Sequence, residues 1–234
     1  DIDAQRLEES EIILKALNKN INENKAIITT YLGEAERKEA LRGADFVINA
    51  IQVGGYEPCT VIDFEIPKKY GLRQTIADTM GIGGIMRALR TIPVMKAFAD
   101  DMEEVCPDAW LLNYSNPMAM LTGYMLRHTK VKTVGLCHSV QGCSKDLLKK
   151  LGMEDKIEGR VDRIAGINHM AWLLELHDKD GNDLYPMLKE RANDDAYIRE
   201  HCGWDLVRLD IMKKFGYYVT ESSEHNSEYM PYFI

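Results

Sequence analysis

Three short apolar runs recur along the chain: Phe46-Val47-Ile48-Asn49-Ala50-Ile51, Ala109-Trp110-Leu111-Leu112-Asn113-Tyr114 and Val131-Lys132-Thr133-Val134-Gly135-Leu136-Cys137. Each leads into a polar cluster, and segments with helical spacing fill the intervals. Phe46–Ile51, continuous rather than alternating, reads as a strand buried on both faces of a parallel sheet, and the order of strands and helices restricts the chain to an α/β, doubly wound design. Ala26–Tyr31 reads as a further β-rich strand, and Gln5–Asn18 and Glu34–Arg42 as helices, the latter stopped at Gly43. Gln52–Pro67 reads as a polar and aromatic connection. A helix opens at Gly81-Ile82-Gly83-Gly84 and runs to Phe98, with a kink expected at Pro93, and another covers Ser139–Leu151.

Beyond about Gly159 the texture changes. Arg163–His177 and Asn182-Asp183-Leu184-Tyr185-Pro186 read as a strand, a turn and a partner, followed by polar helices to Phe215. This divides the chain into a domain over 1–158 and the start of an α+β domain over 159–234.

Charge and composition exclude several function classes. A net charge of −8 and a pI of 5.3 lack the electrostatic footprint of a nucleic-acid binder. No apolar run reaches the roughly 18 residues a membrane helix needs, and Asp1-Ile2-Asp3 has the wrong chemistry for a signal peptide. The five scattered cysteines suit free thiols in a reducing compartment, so the cytoplasm is the expected location.

Ligands of open α/β sheets collect beyond the carboxyl ends of the strands. Three polar clusters fall there: Asn49–Gly55, Asn113–Asn116 and Cys137-His138-Ser139. Cys137 reads either as a small buried cysteine or as a thiolate at a helix start, able to bind a borderline metal. His138 reads as a general acid or base or as a surface histidine. In Gly166-Ile167-Asn168-His169-Met170, a polar pair interrupts an apolar stretch, where burial is costly without a ligand or hydrogen bond. His169 is thus either a core histidine bonded to backbone or the partner of Cys137 on a metal. The glycines at 81–84, preceded by Asp78, resemble an anion loop but lack the lysine of a P-loop. Glu221, Glu224, His225 and Glu228 supply proton-transfer groups or simply a solvated face.

Taken in order, Asn49–Pro58, Ala77–Gly84, Asn113-Tyr114-Ser115-Asn116-Pro117, Gly135–Gln141, Gly166-Ile167-Asn168-His169 and Thr220–His225 resemble the α-galactosidase branch of glycoside hydrolase family 4. The resemblance covers essentially the whole chain. It implies a Rossmann-like NAD-binding domain over 1–158 with its first strand missing, followed by the beginning of a catalytic domain. It also implies an NAD-dependent exception to the two-carboxylate scheme of glycosidases. A hydride leaves C3 of the sugar for NAD⁺, a base takes the acidified C2 proton, the glycosidic oxygen leaves, water adds and the hydride returns. Mn²⁺ or another divalent ion would stabilise the charge that develops.

Carried over by motif, the resemblance makes Cys137 and His169 the metal ligands, Asn116 a substrate contact and His138 the proton donor. It makes Glu221 and Tyr232 the first candidates for the C2 base. Asp1 and Asp3 would meet the adenosine ribose, and Asn49, Gln52 and Asn113 would line the nicotinamide side. The expected substrate is a small α-galactoside, handled by a homo-oligomer, a dimer or tetramer. Family members carry a glycine-rich strand–turn before the point where this chain begins and continue past Ile234, so the 234 residues alone are expected to bind NAD poorly and to be inactive. The rival readings are a family 4 enzyme acting on α-glucosides or 6-phosphoglucosides, a malate- or lactate-type dehydrogenase, and a sugar- or NAD-sensing binding module.

Overall fold

A computed structural model describes all residues except Thr75, Ala77, Asp78, Thr79 and Ile234. Asp78, singled out ahead of the glycine run, therefore lies outside the described residues. The chain forms two compact units: Asp1–Val53 with Ala88–Gly135, and Gly54–Arg87 with Leu136–Ile234.

In the first unit, β1 (Phe46–Asn49), β2 (Trp110–Asn113) and β3 (Lys132–Gly135) form the expected parallel sheet in the order β1-β2-β3. The connection from β1 to β2 ends in the long α4 (Gly81–Val105), and α5 (Met118–His128) joins β2 to β3. Alternation decides which side chains are inside. Val47, Asn49, Leu111 and Asn113 share one face, where Leu111 packs with Met95, Ala99 and Met102 of α4 and Leu121 and Met125 of α5. The opposite face corrects the reading of Phe46–Ile51 as buried on both sides, because Phe46 and Ile48 are 66% and 69% exposed.

Ala26–Tyr31 is not a strand. Extended backbone becomes a strand only by ladder pairing, and no ladder reaches it among the described residues, where Ile27 is 92% exposed. The first helix, α1 (Ala4–Ile21), is capped by the Asp3 carboxylate, which accepts from the Arg6 backbone N–H at 2.9 Å. A short α2 (Arg37–Leu41) precedes β1. Gly135 lets β3 end hard against α5: a Cβ there would stand 2.1 Å from Met118 Sδ and 2.6 Å from Thr122 Oγ1.

In the second unit, the stretch read as a connection is helical, a tight turn over Gly55–Thr60 running into α3 (Val61–Lys69). The helix α4 begins here and continues through Pro93 as one element. Arg163–His177, read as one strand, is two: β4 (Val161–Ile167) and β5 (Met170–His177) form an antiparallel hairpin that turns at Asn168-His169. The turn puts His169 at φ +61, a left-handed conformation uncommon for a non-glycine residue. Gly166 permits the close approach, since a Cβ would meet Ala171 Cα at 2.5 Å.

The expected partner over Asn182–Pro186 contributes only the isolated bridge His177–Asp183, because α7 (Tyr185–Ala192) begins there with Pro186 in its first turn. After α8 (Asp195–His201) and α9 (Leu206–Phe215), the two-residue β6 (Tyr218–Val219) completes the antiparallel sheet β4-β5-β6, and α10 (Ser223–Tyr229) follows. Leu147, Leu148 and Leu151 of α6 (Ser139–Lys150) and its C-cap pack with Leu173 and Leu176 of β5, Leu209 and Met212 of α9, and Tyr218 into the unit's core.

Candidate metal centre

Three loop positions of the second unit converge. Cys137 lies just before α6, His169 sits at the tip of the β4–β5 turn, and Glu221 follows β6 by two residues. Cys137 Sγ is 3.4 Å from His169 Nε2, and the same nitrogen is 3.1 Å from Glu221 Oε2. One donor atom from each of the three residues lies within 4.8 Å of the others, and His169 is 7% exposed.

Each of the three is held from behind. The other ring nitrogen of His169, Nδ1, is 3.0 Å from the Tyr229 hydroxyl. Ser139 Oγ lies 3.4 Å from the Cys137 sulfur. Glu221 Oε1 accepts the Ser222 backbone N–H at 3.0 Å and stands 3.7 Å from His225 Nδ1. The hydrogen bond from His169, assisted by Ser139 against the opposing effect of burial, lowers the Cys137 thiol to a pKa of about 6. A thiolate, the form that binds metals, is therefore present at neutral pH. By contrast burial pushes Cys143 up to about 12, leaving it an inert thiol. All five cysteines are free.

Beneath Glu221 lies a buried charged network. Arg208 Nη1 donates to the carbonyls of Thr220 and Glu221 at 3.1 and 3.0 Å, and its Nε donates to Asp205 Oδ1 at 2.6 Å. Asp205 also accepts from the Tyr218 hydroxyl and faces Lys150 Nζ at 3.4 Å. Burial would raise the Asp205 pKa, but these cations and the Tyr218 bond outweigh it and hold the carboxyl below its ordinary range. A cavity of about 310 Å³ beside the network is lined by His138, Lys150, Asp205, Arg208, Glu221 and Glu224 among others.

Of the remaining residues singled out from sequence, His138 is exposed at the N-cap of α6 and shares that cavity with Glu221. Tyr232 is 82% exposed in a turn after α10. The tyrosine that meets His169 is Tyr229, which sequence reasoning missed; its signal was the spacing of His225 and Tyr229, four residues apart and so on one helical face.

In the first unit, Asn49 Nδ2 donates to Asn113 Oδ1 at 2.8 Å and to Ser115 Oγ at 3.2 Å, and Ser115 Oγ donates to the Ile51 carbonyl at 2.8 Å. Asn49 and Asn113 thus form a bonded, buried cluster at the carboxyl ends of β1 and β2. Gln52 is exposed and Asn116 half-buried just before α5. Asp1 takes an ion pair from Arg6 at 2.6 Å, and Asp3 serves as the cap of α1.

The sequence matches the model for "Family 4 glycosyl hydrolase" over residues 1–153 and that for "Family 4 glycosyl hydrolase C-terminal domain" over residues 164–233. It is 64% identical to an alpha-galactosidase of Bacillus subtilis (strain 168), over 100% of this chain and 52% of the relative. The chain is similar to a 6-phospho-alpha-glucosidase from gut microorganisms solved with NAD and glucose-6-phosphate, at 25% identity and a TM-score of 0.73 over 98% of this chain and 51% of that one. The fold is likewise shared with a 6-phospho-alpha-glucosidase from gut microorganisms solved with NAD and Mn²⁺, at a TM-score of 0.72 and 21% identity over 100% of this chain and 54% of that one. The chain thus spans about half the length of the proteins it matches.

Proposed function

The chain belongs to the family 4 glycosyl hydrolases, and on that premise we propose that the protein hydrolyses α-galactosides by oxidation, elimination and addition, with NAD and manganese or another divalent ion. The observation that carries the reading is the approach of the Cys137 sulfur and the His169 Nε2 to 3.4 Å beside the Glu221 carboxylate. A thiolate and an imidazole are donors that suit a borderline divalent ion. The Tyr229 hydroxyl on Nδ1 is the outer contact that fixes a metal-binding histidine ring. The specificity rests on the 64% identity to an alpha-galactosidase. NAD rests on the relative of 25% identity solved with it, and on the polar strand ends of the parallel sheet.

When bound, NAD would supply hydride-transfer chemistry for C3 of the sugar, and the ion would supply Lewis-acid stabilisation of the developing charge. The residues do the rest. Cys137 and His169 hold the ion, and Asn116 orients the sugar. Asn49, Gln52 and Asn113 form the nicotinamide side, where the mutual bonding of the two asparagines supports a rigid floor. Asp1 and Asp3 meet the adenosine ribose. His138, exposed at the start of α6, delivers a proton to the leaving glycosidic oxygen. Tyr232 takes the C2 proton. The 1–158 and 159–234 segments serve as nucleotide-binding and catalytic domains, and the protein self-associates as a dimer or tetramer.

The test is release of p-nitrophenol from p-nitrophenyl α-galactoside by the full-length protein. Turnover should require NAD⁺, Mn²⁺ and a thiol reductant, and Cys137→Ser should abolish it. Turnover unaffected by removing NAD⁺ would refute the oxidative route.

A further inference from the structure

Glu221 presents a problem of charge. Its Oε2 and the Cys137 sulfur both address one nitrogen, His169 Nε2, at 3.1 and 3.4 Å. A single imidazole nitrogen carries at most one hydrogen. It can satisfy only one of the two well, so the sulfur and Oε2 converge on a single donor in a site where the His169 side chain is 7% exposed and that of Glu221 12% exposed, with Ser139 Oγ also on the sulfur and the Ser222 N–H on Oε1. Two largely buried acceptors that share one donor favour a cation between them. A dication at the centre of the three atoms resolves this, because thiolate, carboxylate and neutral imidazole together carry the charge that balances it.

The distances agree. Donors held about 2.0–2.3 Å from one ion stand roughly 3–4 Å from each other; the two separations from His169 Nε2, 3.4 and 3.1 Å, fall in that interval, and all three donor atoms lie within 4.8 Å of one another. The orientation of Glu221 agrees as well. Oε1 is engaged by the Ser222 N–H at 3.0 Å, which turns Oε2 toward His169. Arg208 grips the carbonyls on both sides of the residue's Cα, those of Thr220 and Glu221, and so fixes the backbone from which the carboxylate projects.

From this geometry, and resting on the metal reading proposed above, we infer that Glu221 is a third protein ligand of the divalent ion, through Oε2, and not the base that removes the C2 proton. A carboxylate bound to a cation is a weak base, so the proton must go elsewhere. The hard oxygen also shifts the donor set toward ions such as Mn²⁺, which thiolate and imidazole alone favour less.

The experiment uses the full-length protein loaded with Co²⁺ as a spectroscopic probe and Mn²⁺ in a parallel titration. In the unmodified protein Co²⁺ should give a thiolate-to-cobalt charge-transfer band together with visible d–d bands. Glu221→Gln, nearly isosteric, should keep the charge-transfer band, alter the d–d bands and weaken Mn²⁺ binding more than about 100-fold, beyond the 10–100-fold that loss of an outer contact costs. Glu221→Asp should recover part of that affinity, and unchanged far-ultraviolet circular dichroism should establish that both variants are folded. If Glu221→Gln leaves the d–d bands as they were while Cys137→Ser removes the charge-transfer band, the carboxylate is not a ligand and the inference fails alone. If Cys137→Ser also leaves the spectrum unchanged, the metal centre itself is refuted.

Discussion

At the scale of single residues, chemistry depends on which cysteine carries a negative charge. Cys137 and Cys143 are six positions apart, yet the hydrogen bond from His169 lowers one to about 6 while burial raises the other to about 12. The thiolate of Cys137 is present above its lowered value and is lost as the pH falls through it. In metal-free protein, iodoacetamide should therefore modify Cys137 at a rate that rises with pH and levels off above about 6 to 7, while Cys143 stays unreacted through neutral pH. Peptide mapping by mass spectrometry reads both, and Mn²⁺ should protect Cys137. A rate still climbing at pH 9 would mean the thiol is unperturbed.

The local pattern only narrowed this centre: a cysteine that ends an apolar run is as readily a small buried side chain, the Asn168-His169 pair is costly to bury but a core histidine would also fit it, and it was the resemblance that paired the two residues. Tyr229 and the contact between Glu221 and His169 were not legible in the sequence, since they depend on how α10 is docked after β6, which no local pattern encodes.

At the scale of elements, the segment carrying Glu221 is held by a buried ion pair rather than by regular structure. The strand β6 is two residues long, and Arg208 Nη1 bonds the two carbonyls that follow it. Arg208→Ala would leave Asp205, at 1% exposure, without its main cation, and loss of one partner from a buried pair costs on the order of 3–5 kcal/mol. Denaturant unfolding at neutral pH should show a loss of that size. The native Asp205 has a depressed pKa, so the pair's contribution is present above the ordinary carboxylate value and fades as the pH drops through the lowered one. The difference between variant and native protein should accordingly shrink in acid. A variant as stable as the native protein at pH 7 would contradict this role.

The elements themselves were read from sequence where the pattern was local. All three apolar runs became parallel strands, each shorter than its run, and α1, α4 and α6 formed where helical spacing placed them. The errors lie where pairing decides. Ala26–Tyr31 has strand composition but no ladder among the described residues, and Arg163–His177 folds back on itself because a polar turn pair sits at its middle. Phe46 and Ile48, apolar yet exposed, show that composition specifies which residues suit burial but not what covers them.

At the scale of the whole molecule, a nucleotide and a metal ion are proposed to serve one reaction on one sugar, in a protein whose relatives are about twice the length of this chain. No helix among the described residues is long and apolar enough to cross a membrane, and the net charge of −8 argues against a polyanionic partner. The chain belongs to the family 4 glycosyl hydrolases, and the proposed route has an order of steps: removal of the C2 proton must precede loss of the glycosidic oxygen. That order leaves a mark on the product that direct displacement at the anomeric carbon cannot leave. Hydrolysis of an α-galactoside by the full-length protein, loaded with NAD⁺ and Mn²⁺ in deuterium oxide, should release galactose carrying deuterium at C2, read by proton magnetic resonance. Galactose formed under the same conditions with its C2 hydrogen fully retained would contradict the account.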